Sequence, residues 1–253
     1  ALLPVRVIKK IDPLDALNQG GSVMTAIELR NVEKYYGQGI ARVHVLSDVS
    51  FKAELGKLNL VIGPSGSGKS TFLTIAGGLQ QPSEGQVLID GQEISALSGK
   101  QRDRLRLDKI GFVLQSYNLL PYLTVRDQFA LVDRMRHGNL SKGELGDLLK
   151  DLGIEKMIHK YPGELSGGQN QRVAIARALY TDPQIILADE PTAALDSDRV
   201  KVVGQLFSDL AVKHNKAVVV VTHDLRLREF ADQVYTIVDG QMAKEERPLG
   251  TPA

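Results

Sequence analysis

The sequence lacks cysteine, a strong excess of charge of either sign, and long apolar runs. The absence of cysteine excludes a disulfide scaffold, a zinc ribbon and thiol catalysis. Lys and Arg together number 31 against 30 for Asp and Glu, a formal net charge of +1, so no basic field points to nucleic acid as a partner. The longest apolar runs, around Ile185–Ala188 and Ala217–Val221, fall far short of the roughly 20 residues that span a bilayer. We therefore expect a soluble globular protein that reaches a membrane only through a partner.

The apolar content that is present suffices for a sizeable core, since 43% of the 253 residues are hydrophobic. This length suits one large domain, or a core with a subdomain. Short β-rich runs alternate with longer helical stretches, which predicts an α/β fold with a parallel sheet covered by helices. The predicted strands are Leu58–Ile62, Gly111–Leu114, Ile185–Asp189, Ala217–Thr222 and Val234–Val238.

Two regions depart from this alternation. Residues 26–51 contain two alternating segments around Gly37 and Gly39, which predicts an antiparallel hairpin. Residues 124–161 are polar and helical in composition, which predicts a small helical insertion. We expect this insertion to be broken at its glycines, Gly138, Gly143, Gly146 and Gly153.

A glycine-rich loop is the first motif that carries chemistry. Residues 63–71 read GPSGSGKST, between the predicted strand 58–62 and a predicted helix over 71–79, which matches G-x-x-x-x-G-K-[ST] in its strand–loop–helix context. The glycines let backbone N–H groups face inward as an anion nest, and the helix N-terminus adds positive potential. Lys69 would supply a full charge to the β- and γ-phosphates of a nucleoside triphosphate, and the Ser70 hydroxyl would bind Mg²⁺. The other candidate nucleotide-binding residues of the loop are Gly63, Pro64, Ser65, Gly66, Ser67, Gly68 and Thr71.

Two carboxylates end a second apolar run, where Ile185–Ala188 is followed by Asp189 and Glu190. Parallel sheets place ligands at the carboxyl ends of their strands. Asp189 would hold Mg²⁺, directly or through water, and Glu190 would polarise the attacking water as general base. The alternative is a strand that simply ends in two acids before Pro191 turns the chain. Beside a phosphate loop, the functional interpretation is the better one.

The string LSGGQ at 165–169 predicts a second helix start. Ser166 is a good N-cap, Gly167 and Gly168 allow close backbone approach, and a helical run continues to Leu179. This is therefore a second potential phosphate-binding helix end.

The phosphate loop and LSGGQ form a set of five ordered motifs together with three further residues: Gln115, Asp196 in PTAALD, and His223 after a predicted strand. The set resembles the ATP-binding cassette (ABC) ATPases over residues 26–242. The resemblance implies a P-loop NTPase (RecA-like) core with an antiparallel β subdomain and a helical subdomain. The ABC ATPase domain would occupy residues 24–253, with its helical subdomain at about 116–165.

The resemblance also implies roles for single side chains, with ATP and Mg²⁺ as cofactors. Tyr36 would stack on adenine, with its neighbour Tyr35 as the less favoured alternative. Gln115 would touch Mg²⁺ and relay to a membrane partner, and His223 would contact the γ-phosphate and the attacking water. The implied catalytic set is Lys69, Gln115, Glu190 and His223.

The working assembly is implied by the LSGGQ motif in this family. Its residues would reach the γ-phosphate held by the other subunit, so that a head-to-tail homodimer encloses two ATP molecules. Asp196 would communicate across this interface. The motif residues concerned are Ser166, Gly167, Gly168 and Gln169.

Several strings resemble one branch of the family, which contains macrolide-export, lipoprotein-release and cell-division (FtsE-type) ATPases. They are the hairpin around 37–39, YNLLPYLTV at 117–125 and PTAALDSDR at 191–199. LRLDKIGFVLQS at 105–116 and THDLRLREFAD at 222–232 most resemble haem-exporter ATPases. The implied partner is an FtsX- or MacB-like integral membrane permease, which would hold the ATPase at the cytoplasmic face of the cell membrane and contain any cargo site.

Other functions stay open at this point. The same motor could signal across the membrane, or drive export of lipoproteins, lipids or antibiotics, and the sequence does not separate these. A soluble cassette protein of translation or DNA repair usually has two cassettes or a long coiled-coil insertion, and neither is present here. A P-loop kinase or GTPase leaves LSGGQ and His223 unexplained.

Residues 1–23 are predicted to be a leader or linker that ends in the flexible Gly20-Gly21-Ser22 joint. The string DPLDAL at 12–17 resembles the DP-x-x-AL motif at the cytoplasmic end of FtsX-like permeases. A tail derived from the partner permease is therefore one interpretation of this stretch, and an expression tag is the other.

Overall fold

The computed structural model describes residues 24–245, which form two β-sheets with helices around them; the predicted leader at 1–23 lies outside the described residues. The strands are β1 Thr25–Tyr36, β2 Val43–Glu54, β3 Leu58–Ile62, β4 Glu84–Ile89, β5 Gln92–Glu93, β6 Ile110–Val113, β7 Ile185–Asp189, β8 Ala217–Thr222, β9 Gln233–Val238 and β10 Gln241–Lys244. The α-helices are α1 Lys69–Ala76, α2 Gly99–Lys109, α3 Val125–Met135, α4 Lys142–Asp151, α5 Gly167–Tyr180 and α6 Ser197–Val212.

The larger sheet has six strands in the order β10-β9-β3-β8-β7-β6. Five of them, from β9 to β6, are parallel, and β10 pairs antiparallel at the edge. β3, β7 and β8 are buried at every position, as their continuous apolar runs predict for a sheet covered on both faces. The predicted parallel sheet is confirmed, and the carboxyl ends of β3, β7 and β8 lie side by side at one edge.

Successive residues of these strands face two separate cores. Leu60 and Val220 belong to a cluster that packs against α3, α4, α5 and α6. Val61 and Val221 belong to a second cluster that packs against α1 and the smaller sheet. The strand period of two residues assigns neighbouring residues to opposite faces, so one sheet supports both layers.

The smaller sheet is antiparallel, in the order β2-β1-β4-β5. β1 and β2 form the hairpin that the sequence predicts, with Tyr35 opposite His44 near the turn. β4 and β5 are not among the strands predicted from the sequence. β4 has three exposed residues and a short apolar end, so its alternation is weak, and its pairing with β1 decides its conformation.

The helical region between 124 and 161 contains α3 and α4, as predicted, but Gly143 and Gly146 do not break it. Both glycines lie inside α4, because a capping box between Ser141 and Glu144 stabilises its start and its apolar face is buried. Gly153, with φ of 64°, follows the end of this helix. Within residues 24–245, no helix has the length and apolar content needed to cross a bilayer.

Candidate active site

Polar side chains from four segments meet at the carboxyl edge of the larger sheet. The loop after β3, Gln115 after β6, Glu190 after β7 and His223 after β8 reach one cavity of about 250 Å³. This is the edge where parallel sheets place ligands, because loops diverge there on either side of the sheet. The cavity is lined by Val45, Ser65, Gly66, Gly68, Lys69, Ser70, Thr71, Gln115, Glu190 and His223.

The glycine-rich loop leads directly into α1, which begins at Lys69, two residues before the predicted start. Gly68 has φ of 103°, and a Cβ there would lie 2.9 Å from the Val45 carbonyl oxygen, so only glycine fits. The Lys69 ammonium donates to the carbonyl oxygens of Gly63 and Pro64, each at 2.8 Å. A cation and a helix N-terminus thus face the same small cavity, an arrangement that attracts phosphate.

Asp189, the last residue of β7, lies beside this loop. Burial raises the pKa of its carboxyl group, Glu190 adds to that rise, and the Ser70 hydroxyl and the Lys69 ammonium oppose it. Its Oδ1 atom is buried and has no hydrogen-bond partner among the described residues. A buried acid oxygen next to a hydroxyl fits a hard divalent cation such as Mg²⁺.

The metal would need further ligands from the nucleotide, since the described residues contain no cluster of three or more His, Asp or Glu side chains that could hold an ion. Mg²⁺ is usually bound through one or two carboxylates together with substrate phosphates. Ser70, Asp189 and Gln115 are therefore a suitable protein contribution, with Gln115 exposed at the cavity wall.

Glu190 follows Asp189 and is 7% exposed, yet its backbone is left-handed, with φ of 49°. Such a conformation costs about 1–3 kcal/mol for a residue other than glycine. Several contacts hold it. Its N–H donates to the Val221 carbonyl at 2.9 Å, and its own carbonyl accepts from Gln171 Nε2 at 2.8 Å and from the Ala193 N–H at 3.3 Å. Its carboxylate accepts from Thr222 Oγ1 at 2.6 Å. The carboxylate that borders the cavity is thus fixed from several sides.

His223 lies beside Glu190. Its Nδ1 atom is 2.9 Å from Glu190 Oε1, and its backbone N–H donates to the same oxygen at 3.1 Å. The imidazole itself is 70% exposed, so it borders the cavity while its Nδ1 edge stays against the acid. An acid and a histidine adjacent in this way can orient a water molecule and move its proton.

The LSGGQ segment forms a helix start, as predicted. Ser166 is the N-cap of α5, and its Oγ accepts from the Gln169 N–H at 3.2 Å while Gln169 Oε1 accepts from the Ser166 N–H at 2.8 Å. Within the part of the chain that the structure describes, neither these residues nor Gly167 and Gly168 line the cavity. The fold therefore does not bring the two predicted phosphate-binding helix starts together within one chain.

Asp196 is also away from the cavity. It is the N-cap of α6, where its Oδ1 accepts from the Arg199 N–H at 3.0 Å, and its side chain pairs with the Arg199 guanidinium. This backbone hydrogen bond lowers the pKa of Asp196, and the Arg199 side chain adds to the effect.

The two tyrosines at the end of β1 have different surroundings. The Tyr35 ring stacks on His44 with centroids 4.3 Å apart, and the Arg42 guanidinium lies 3.8 Å from its centroid. Tyr36 is 40% exposed; its hydroxyl donates to Gln80 Oε1 at 2.5 Å, and Lys34 Nζ lies 5.1 Å from its ring centroid. Tyr36 is therefore the more exposed of the two rings, although it is not among the residues that line the cavity in residues 24–245.

Three residues of the site were not predicted from the sequence. Val45 lines the cavity because β2 passes beside the loop, and no local motif marks it. Gln171 and Thr222 hold Glu190 from behind. In the sequence, these two residues are marked only by their closeness to motifs: Gln171 lies two residues beyond LSGGQ, and Thr222 precedes His223.

Comparison with known proteins is consistent with this geometry. The family described as ABC transporter matches residues 46–193. A relative from Staphylococcus haemolyticus, HrtA, named as a hemin import ATP-binding protein, is 43% identical over 86% of this chain and 99% of its own length. The ABC transporter ATP-binding protein MJ0796 of Methanocaldococcus jannaschii is 42% identical over 88% of this chain and 98% of its own.

Solved structures show the same fold. A dimeric MJ0796 cassette bound to ADP and Pi has a TM-score of 0.81 at 39% identity, covering 88% of this chain and 99% of that one. The cbiO1 protein of Clostridium perfringens, part of the cbiONQ transporter complex, has a TM-score of 0.72 at 28% identity, with 87% of each chain covered. The family match over more than half of the chain, together with these relatives, shows that this chain belongs to the ABC transporter family and is its ATP-hydrolysing cassette.

Proposed function

We propose that this ATPase subunit powers an FtsX- or MacB-like permease at the cytoplasmic face of the cell membrane, and that the exported cargo is haem. The identity of 43% to HrtA of Staphylococcus haemolyticus, a protein named for hemin, supports the cargo. The strings at 105–116 and 222–232, which resemble haem-exporter ATPases, support the direction. Because the name of that relative says import, direction is a point that an experiment must decide.

At the site, we propose that Glu190 takes the proton of the attacking water and that His223 orients this water against the γ-phosphate. The observation that carries this role is the Glu190 carboxylate, fixed at the cavity wall with His223 Nδ1 2.9 Å away. Lys69 and the α1 N-terminus would neutralise the phosphates. Ser70, Asp189 and Gln115 would hold Mg²⁺, which would add positive charge there.

We further propose a head-to-tail homodimer as the working unit. The LSGGQ helix start does not border the cavity of its own chain, so it is available to complete the cavity of a second copy. The dimeric state of the MJ0796 cassette supports this arrangement. Gly167, Gly168 and the Ser166–Gln169 pair would then contact the partner's γ-phosphate, with Asp196 near the interface and Tyr36 on the adenine.

The catalytic proposal is tested with Glu190→Gln. This change keeps the shape of the side chain but removes the base, so we expect kcat to fall by at least about 100-fold while binding of a fluorescent ATP analogue persists. Lys69→Ala is the contrasting variant, because it removes the charge that faces the phosphates and should lose ATP binding itself. Near-normal hydrolysis by Glu190→Gln would remove Glu190 from the role of base.

The cargo proposal is tested on the ATPase–permease complex in proteoliposomes. We expect haemin to stimulate ATP hydrolysis in a saturable way, with the Glu190→Gln complex as the blank, and haemin to move away from the ATP-accessible face. Movement toward that face would establish import. An absence of stimulation, with healthy basal hydrolysis, would reject haem as the cargo.

A further inference from the structure

Thr222 lies behind the Glu190 carboxylate, at the carboxyl end of β8. It has no exposed surface, and it is not among the cavity-lining residues in the described part of the chain. Its Oγ1 donates to Glu190 Oε2 at 2.6 Å. Since β7 and β8 are parallel neighbours, with Asp189 opposite Val221, this contact follows from the register of the sheet.

The direction of the Thr222 hydroxyl is set by a second contact. The backbone N–H of Asp224 donates to Thr222 Oγ1 at 2.9 Å, so a lone pair of that oxygen is already occupied. The hydroxyl proton is then left to point at Glu190, a carboxylate, which can only accept. Thr222 is therefore a fixed donor to one oxygen of the acid.

The two oxygens of Glu190 consequently have different side-chain partners. Oε2 accepts from the buried Thr222 hydroxyl at 2.6 Å, and Oε1 lies 2.9 Å from His223 Nδ1 at the cavity wall. The His223 backbone N–H contacts both oxygens, at 3.1 Å to Oε1 and 3.4 Å to Oε2, so without the Thr222 hydroxyl this N–H alone would not fix which oxygen faces the imidazole. A base that is misplaced by a fraction of an ångström loses rate even when the substrate still binds.

We propose that Thr222 is a positioning residue for hydrolysis, which fixes the orientation of the Glu190 carboxylate so that Oε1 faces the attacking water. This inference rests on the proposed role of Glu190 as general base. Thr222 itself touches neither the nucleotide site nor the cavity, and its effect therefore falls on turnover and not on ATP affinity.

The test is Thr222→Val, which keeps the β-branched shape and removes the hydroxyl. We expect kcat to fall about 10–100-fold, the range of a lost hydrogen bond to a charged group, while KM and the Kd for a fluorescent ATP analogue change by less than about twofold. Thr222→Ser restores the donor and should recover kcat to within about threefold of wild type. Normal kcat in Thr222→Val, or a loss that Thr222→Ser does not repair, would overturn the proposal.

Two controls separate positioning from folding. Thr236→Val removes a similar hydroxyl, which donates to Glu245 Oε1 at 3.0 Å away from the cavity, and should leave kcat unchanged. If Thr222→Val does not fold, the test becomes a comparison of kcat between Thr222→Cys and Thr222→Ser. A thiol is a weak donor of serine-like size, so Thr222→Cys should have the lower kcat. Equal kcat for these two variants would refute the role.

The failure of this inference is distinguishable from failure of the proposed function. An inactive Glu190→Gln with a fully active Thr222→Val would reject the positioning role alone. A Glu190→Gln variant with near-normal hydrolysis would reject the base on which the role depends.

Discussion

Gln171 connects the LSGGQ helix to the acid at the end of β7, and its removal should be costly. The residue is 2% exposed on α5; its Nε2 donates to the Glu190 carbonyl at 2.8 Å and its Oε1 accepts from the Ala194 N–H at 3.2 Å. Gln171→Ala would remove this donor, but the Glu190 carbonyl would keep the Ala193 N–H at 3.3 Å, so the cost is that of one lost hydrogen bond, about 0.5–1.5 kcal/mol. Ala194 is exposed, so water can replace its partner and only about 0.5–1 kcal/mol is lost there.

The sum predicts a loss of about 1–2.5 kcal/mol in the free energy of unfolding for Gln171→Ala. For a chain of this size, each 1 kcal/mol lowers Tm by about 2–4 °C, so we expect a fall of about 2–10 °C. Urea unfolding followed by circular dichroism measures the first quantity, and a thermal melt measures the second. ATP hydrolysis should also fall, because the left-handed Glu190 backbone loses one of its restraints.

Two further variants test whether the Gln171 contact contributes to stability. Gln171→Glu keeps an acceptor for Ala194 but places a carboxylate oxygen against the Glu190 carbonyl, so it should be at least as destabilising as alanine. Gln86→Ala is the control, since the side chain of this exposed glutamine donates to Glu93 at the surface and its removal should change stability by less than about 0.5 kcal/mol. A Gln171→Ala protein within about 0.5 kcal/mol of wild type would show that the contact carries no energy.

Two other predictions concern the nucleotide and the pH. Tyr36→Ala should weaken binding of a fluorescent ATP analogue by about 1–3 kcal/mol, the value of an aromatic–base stack, whereas Tyr35→Ala should leave the affinity unchanged. Weaker binding by Tyr35→Ala alone would instead assign the adenine stack to Tyr35. Burial raises the pKa of Asp224, but hydrogen bonds from Arg226 and Thr192 outweigh it and hold the pKa below its ordinary value. The stability from this acid is therefore present above the unfolded pKa of about 3.9 and is lost as pH falls through the lower folded pKa. The difference in unfolding free energy between wild type and Asp224→Asn should consequently shrink from pH 7 to pH 2. A difference that grows toward acid pH would contradict this expectation.

Much of the larger sheet could be read from the sequence, because its strands are continuous apolar runs that only a doubly covered sheet can bury. The phosphate loop and the Ser166 cap were equally readable, since their chemistry depends on neighbours within a few residues. β4 could not be predicted from the sequence, because its conformation depends on pairing with β1, some 55 residues earlier in the chain. Gly143 and Gly146 show the same limit, since burial of one face of α4 outweighs their low helix propensity.

The sequence by itself determined the family and the nucleotide loop, and it singled out Glu190 and His223 as candidates, because each is carried by a local string with a fixed spacing. Only the tertiary structure decided how these groups are held. The parallel register of β7 and β8 places Thr222 behind Glu190, and the packing of α5 against the sheet brings Gln171 to its carbonyl. These two contacts span sequence separations of 19 and 32 positions. No local sequence pattern predicts them, because they arise from the way strands and helices pack.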